Sequence, residues 1–99
     1  MKYFLFRLIP PRPTFLADIT PAERQLMQAH AAYWRDQMAQ GRVAAFGPVA
    51  DPAGPYGIGV LTLEDDVPPH ALAAADPTIQ ADAGFRFEIH AMPSLVIRG

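Results

Sequence analysis

The sequence predicts an α+β domain whose elements run β-α-β-β-α-β. Three observations carry that order. Thr20-Pro21-Ala22-Glu23 opens a long helical run that Gly41 closes. Short runs rich in aromatic and branched apolar residues, bounded by proline and glycine, flank that helix on both sides. A second, shorter helical stretch starts at Pro68-Pro69 and leads to an alternating strand that Pro93 stops.

Tyr3 to Ile9 is short and apolar, and Pro10-Pro11 follows at once, so it reads as a strand and not a helix. Pro10-Pro11-Arg12-Pro13 lacks three of four N–H groups and cannot extend a ladder. Thr14 to Ile19 is expected as a loop, with Phe15 and Leu16 free to fold back over apolar surface. In the first helix Thr20 caps, Pro21 suits the first helical position, and Glu23 can return to the cap N–H. Leu26, His30, Tyr33 or Trp34, and Gln37 or Met38 follow a spacing of three to four, which sets His30 on or beside the buried stripe. Gly41 supplies the left-handed residue that ends the helix near Gln40.

Arg42 to Phe46 reads as a strand broken by Gly47-Pro48, and Asp51-Pro52-Ala53-Gly54-Pro55 as a turn-forming loop. Tyr56 to Glu64 is a strand with glycines at 57 and 59, which implies a bulge or a close approach by backbone or ligand. Asp65-Asp66 and Pro68-Pro69 start a short helix through Ala75. Asp76-Pro77 interrupts it, and Asp76 can cap one further turn. Phe85 to Met92 alternates apolar and polar, with Phe87 and Ile89 on one face and His90 on the other. Ser94 to Ile97 is expected as an edge or a dimer arm. This order is the ferredoxin-like arrangement, one antiparallel sheet with both helices on one face. The uncovered face is expected to be apolar enough to bind a second copy.

The 99 residues suit one domain, 1–99, with a thin core. Apolar residues make up 51% of the chain, which favours self-association and a homodimer. The net charge is −2, and no cluster of Lys or Arg stands ready for phosphates, so nucleic acid is not expected as a partner. With no cysteine, disulfides, thiol catalysis and thiolate metal sites are excluded, which fits a reducing compartment. The apolar start, Met1 to Ile9, is too short for a signal or membrane segment. The expectation is a chain that starts at Met1, stays in the cytoplasm and has no membrane partner.

His30 eleven residues before Gly41, a strand ending in Gly47-Pro48, a glycine-containing strand, Ala74-Ala75-Asp76-Pro77 and a last strand ending near Pro93 together resemble the YCII-related family. The resemblance spans roughly Tyr3 to Pro93. It implies a dimeric ferredoxin-like α+β fold, of the dimeric α/β-barrel kind, and a histidine and an aspartate proposed as an active site, here His30 and Asp76. One branch of the family resembles an enzyme acting on chlorinated hydroxylated aromatics. Two positions depart from the family pattern: Met27 stands where arginine is frequent, and Thr78 where a bulky apolar residue follows Asp-Pro.

An imidazole titrating near neutrality suits proton transfer, and a carboxylate on one ring nitrogen would fix the tautomer. Read on residues alone, His30 is also an ordinary half-buried helix histidine satisfied by a carbonyl, and Asp76 an ordinary N-cap. A cap and an active-site carboxylate are compatible, since each oxygen can serve one role. Arg24, Tyr33, Gly47 and Pro48 are the residues expected to contact a small-molecule substrate. Arg7 or Arg24, if turned inward, would bind an anionic group. His30, His70 and His90 lie on separate elements without paired spacing, so no metal site is expected. Gly57-x-Gly59 lies inside a strand and is no phosphate loop, and the lone Ser94 has no nucleophile-elbow context.

The function expected is general acid/base catalysis by a His30/Asp76 dyad on a small cyclic or aromatic metabolite. An elimination, isomerisation or lyase step of this kind needs no cofactor. The alternatives are a non-catalytic ligand-binding or assembly module, and a cofactor-free monooxygenase-like dimeric α/β barrel.

Overall fold

A computed structural model describes all residues, Met1–Gly99. Strand β1 (Lys2–Ile9) leads through a helical turn, α1 (Phe15–Asp18), into the long helix α2 (Pro21–Ala39). Strands β2 (Val43–Val49) and β3 (Tyr56–Leu63) follow, then α3 (Pro69–Ala74), α4 (Pro77–Gln80) and β4 (Arg86–Met92). The sheet order is β2-β3-β1-β4, with every neighbouring pair antiparallel. This is the expected ferredoxin-like α+β architecture.

Register decides what each sheet face carries. Phe6 pairs with Gly59 and Ile89, and Leu8 pairs with Gly57 and Phe87. These positions share the face under the helices, where Phe6, Leu8, Leu61, Leu63 and Trp34 form a sealed core. Phe6 and Trp34 stack with ring centroids 4.8 Å apart. Gly59 and Gly57 lie beside Phe6 and Leu8, and a Cβ at either would stand in ordinary contact with them, at 3.5 and 3.6 Å. The other face holds Leu5, Arg7, Ile58, Val60, Glu88 and His90 and has no helix over it. No helix is long and apolar enough to cross a membrane.

Most boundaries fall where sequence places them. The capping box at α2 is complete: the Glu23 N–H donates to Thr20 Oγ1, and the Thr20 N–H donates to a Glu23 oxygen. Gly41 takes a φ of +80° after the helix, as expected.

Three local expectations differ. The segment after Pro13 is not a loop but a helical turn, because Arg12 and the Thr14 hydroxyl both bond the Asp18 carboxylate and close it. Gly47-Pro48 does not break β2, which runs on to Val49. Strand β2 is an edge, so the missing N–H of Pro48 costs the sheet nothing. Asp65 and Asp66 precede α3 without capping it, since the cap residue is Pro68. Asp65 instead pairs with the N-terminal ammonium at 3.0 Å.

Candidate functional site

Helix α2 buries three residues at i, i+4 and i+7: His30, Trp34 and Gln37. They line one stripe because 3.6 residues make a turn. Opposite that stripe lies the N-terminus of α4, where Asp76 is the capping residue. Tyr33 holds the approach in place: its hydroxyl donates to the Leu72 carbonyl at 2.6 Å and ties α2 to α3.

Asp76 has no exposed surface and receives four hydrogen bonds. Its Oδ1 accepts from the Thr78 N–H at 2.9 Å and from the Thr78 hydroxyl at 2.8 Å. Its Oδ2 accepts from Trp34 Nε1 at 2.7 Å and lies 2.6 Å from His30 Nδ1. Cap and partner are therefore the same carboxylate, one oxygen for each task. Burial pushes the Asp76 carboxyl up, but the bonds from His30, Trp34 and Thr78 outweigh burial and hold it below its ordinary value.

An ionised Asp76 fixes the state of the imidazole. With an acceptor-only carboxylate 2.6 Å away, Nδ1 carries the hydrogen, and the lone pair of neutral His30 sits on Nε2. No buried side-chain nitrogen or oxygen in the protein lacks a partner. Nε2 bonds no protein group, so it is the accessible corner of a side chain that is only 11% exposed.

The surface that His30 reaches is a partly open cavity of about 170 Å³ between the middle of α2, the α1 turn and the sheet. Met27, Phe15, Phe46, Phe85 and Leu8 give it mostly apolar walls. Phe15 and Phe85 meet edge to face at 5.5 Å and close one side. Gly57 contributes bare backbone where a side chain would intrude.

Of the residues expected at a site, the structure brings together His30, Asp76, Gly47 and Pro48: the first two bond, and the last two line the cavity with His30. Arg24 is exposed and lies outside the lining. Tyr33 also lies outside it, its hydroxyl spent on Leu72. His90 is on the open sheet face, 3.1 Å from Glu88, and His70 is exposed. Sequence reasoning did not find Trp34 and Thr78 as partners of Asp76. The signals were there: Trp34 follows His30 by four, and Thr78 sits two residues after a capping aspartate.

Comparison with known proteins gives a family and likenesses to solved structures. A family model, the YCII-related domain, matches residues 1–93. No protein with a curated description matches. Among solved structures, the chain is similar to a formyltetrahydrofolate deformylase from Pseudomonas putida KT2440, with 16% identity and a TM-score of 0.45. That alignment covers 93% of this chain and 29% of the deformylase chain.

Proposed function

The chain belongs to the YCII-related domain family, and we propose that it is a small enzyme in which His30, held by Asp76, moves a proton on a single-ring substrate. The observation that supports this most is the bare Nε2 at the wall of an apolar cavity while Nδ1 is committed to a buried carboxylate. Apolar space of roughly 150 Å³ is enough to take up one benzene ring. The cavity volume supports a substrate of one ring with small substituents.

In the proposed step Nε2 takes a proton from carbon or hydroxyl. The C–H or O–H electron pair stays with the substrate and forms a new double bond as a leaving group departs, or shifts to the next atom in an isomerisation. Asp76 stabilises the imidazolium that forms and does not itself take the proton, since it accepts bonds from Trp34 and Thr78 that favour its ionised form. The apolar walls exclude water and strengthen that charge pairing. The His30 imidazolium then gives that proton to the departing group in an elimination, or to the atom that received the electron pair in an isomerisation. We also propose that the chain works as a homodimer, through the apolar part of the open sheet face around Leu5, Ile58 and Val60.

The test is a panel of single-ring hydroxylated aromatics, halogenated phenols and unsaturated lactones, with turnover followed by absorbance. Ala31 lines the cavity from α2, and Ala31→Leu fills it while keeping a good helix former. The expected outcome is turnover of at least one panel member by the wild type, lowered at least tenfold in Ala31→Leu with the thermal midpoint kept within a few degrees. Saturable binding without turnover of any member would favour a ligand-binding module instead.

A further inference from the structure

Eight residues carry positive side chains, and three of them, Arg7, Arg12 and Arg86, line one hollow of about 400 Å³ at the end of the open sheet face, with one carboxylate, Glu88, beside them. In a chain of net charge −2 this lining carries three cations to one anion. The three are not equally available. Arg12 is used up: its guanidinium bonds Asp18 and both oxygens of Glu23. Arg7 sits over the Tyr56 ring, its Cζ 4.3 Å from the centroid, and gives one nitrogen to Glu88 at 3.1 Å. Its other guanidinium N–H groups bond no protein acceptor, and the side chain is one-third exposed. Arg86 has no ion pair at all.

The hollow is built on a stiff frame. The Pro10–Pro13 segment forms one wall and is closely approached by Gly84 at Pro11. Gly84 has a φ of +90° and lies so near Pro11 that a Cβ there would stand 2.9 Å from the ring. At Gly54 an added Cβ would only reach ordinary contact with Pro13, at 3.6 Å. Prolines with fixed φ and the close Gly84 contact make a groove that need not be ordered on binding. The hollow also adjoins the His30 cavity: Pro10, Pro55 and Tyr56 belong to the walls of both.

We propose that this hollow is an anion subsite, and that the substrate of His30 carries a carboxylate or phosphate group that Arg7 and Arg86 hold while its ring enters the cavity. The second half rests on the catalytic reading above; the first half does not. Bidentate arginine forks match both groups, so the two are separated by experiment.

The arginine Nε–Hε resonances of the full-length protein would be followed by NMR during titration with acetate and with inorganic phosphate. A second titration would use 3-phenylpropionate and its neutral amide. The expected result is a saturable shift of Arg7 and Arg86, with the tighter of acetate and phosphate naming the group. Arg86→Gln and Arg7→Gln should each weaken that binding at least tenfold, and Arg98→Gln should not. Phenylpropionate should move both the arginine and the His30 ring signals, and should bind at least tenfold tighter than its amide. Unmoved arginine signals, or an Arg86→Gln variant that binds anions like the wild type, would overturn the subsite. Arginine shifts with an unmoved His30 ring would overturn its connection to the cavity. Loss of the catalytic reading is a separate outcome: a His30→Gln protein that still turns over substrate while the arginine shifts persist.

Discussion

Asp76→Ala should lower the stability of the protein by roughly 3–5 kcal/mol, the usual loss when one partner is removed from a buried charged cluster. The reason is what it leaves behind. Trp34 Nε1 and two donors of Thr78 would be buried without an acceptor, each at about 1–3 kcal/mol if unrelieved. Domains of this kind have about 5–15 kcal/mol in total. The thermal midpoint should therefore fall by more than ~10 °C, read by circular dichroism.

Asp76→Asn keeps the shape but turns one acceptor into a donor facing other donors, so it should fall between alanine and wild type. The pH dependence has a definite sign. The folded Asp76 carboxyl sits below its ordinary value of 3.8, so its contribution is complete above that value and is lost as pH falls through the lower, folded one. The stability gap between wild type and Asp76→Ala should close on acidification below about pH 4. A gap that stayed constant would mean that the carboxylate charge is not what holds the cluster.

His30→Gln should act on turnover and not on folding. Once a panel substrate is in hand, its kcat should drop by roughly 10²–10⁴, the usual worth of a positioned acid/base group. Asp76 would keep its bonds from Trp34 and Thr78, so the unfolding midpoint in urea should move far less than in Asp76→Ala. The two variants thus separate the tasks of the pair, the carboxylate as a structural hub and the imidazole as the reacting group. Retained kcat in His30→Gln would remove the imidazole from the chemistry.

How much of this could be read from residues alone varies with how local the cause is. The α2 capping box and the Gly41 stop are set by groups a few residues apart, and both were legible. That His90 lies opposite Phe87 and Ile89 was legible too, because strand alternation is strict, but which of the two faces the helices cover is shown only by the sheet register. Pro48 was misread as a break, since only the sheet order reveals that β2 is an edge and tolerates proline. Arg24 is six residues before His30, which rotates it to another side of α2, and helical geometry alone argues against it as a substrate contact. Tyr33 has the right spacing for the buried stripe, but α3 takes its hydroxyl, a tertiary fact.

The pairing of His30 with Asp76 was suggested by family resemblance and not by periodicity, since 46 residues separate them. The cavity was not legible at all. It depends on where side chains are missing, at Gly57, and on Phe15 folding in from a turn expected to be a loop.

The most direct measurement is the tautomer of His30, read from the ¹⁵N shifts of its ring at a pH where it is neutral. The structure calls for hydrogen on Nδ1 and a bare Nε2 whose signal moves when a single-ring ligand enters the cavity. A neutral His30 protonated on Nε2, with Nδ1 bare beside Asp76, would contradict the account.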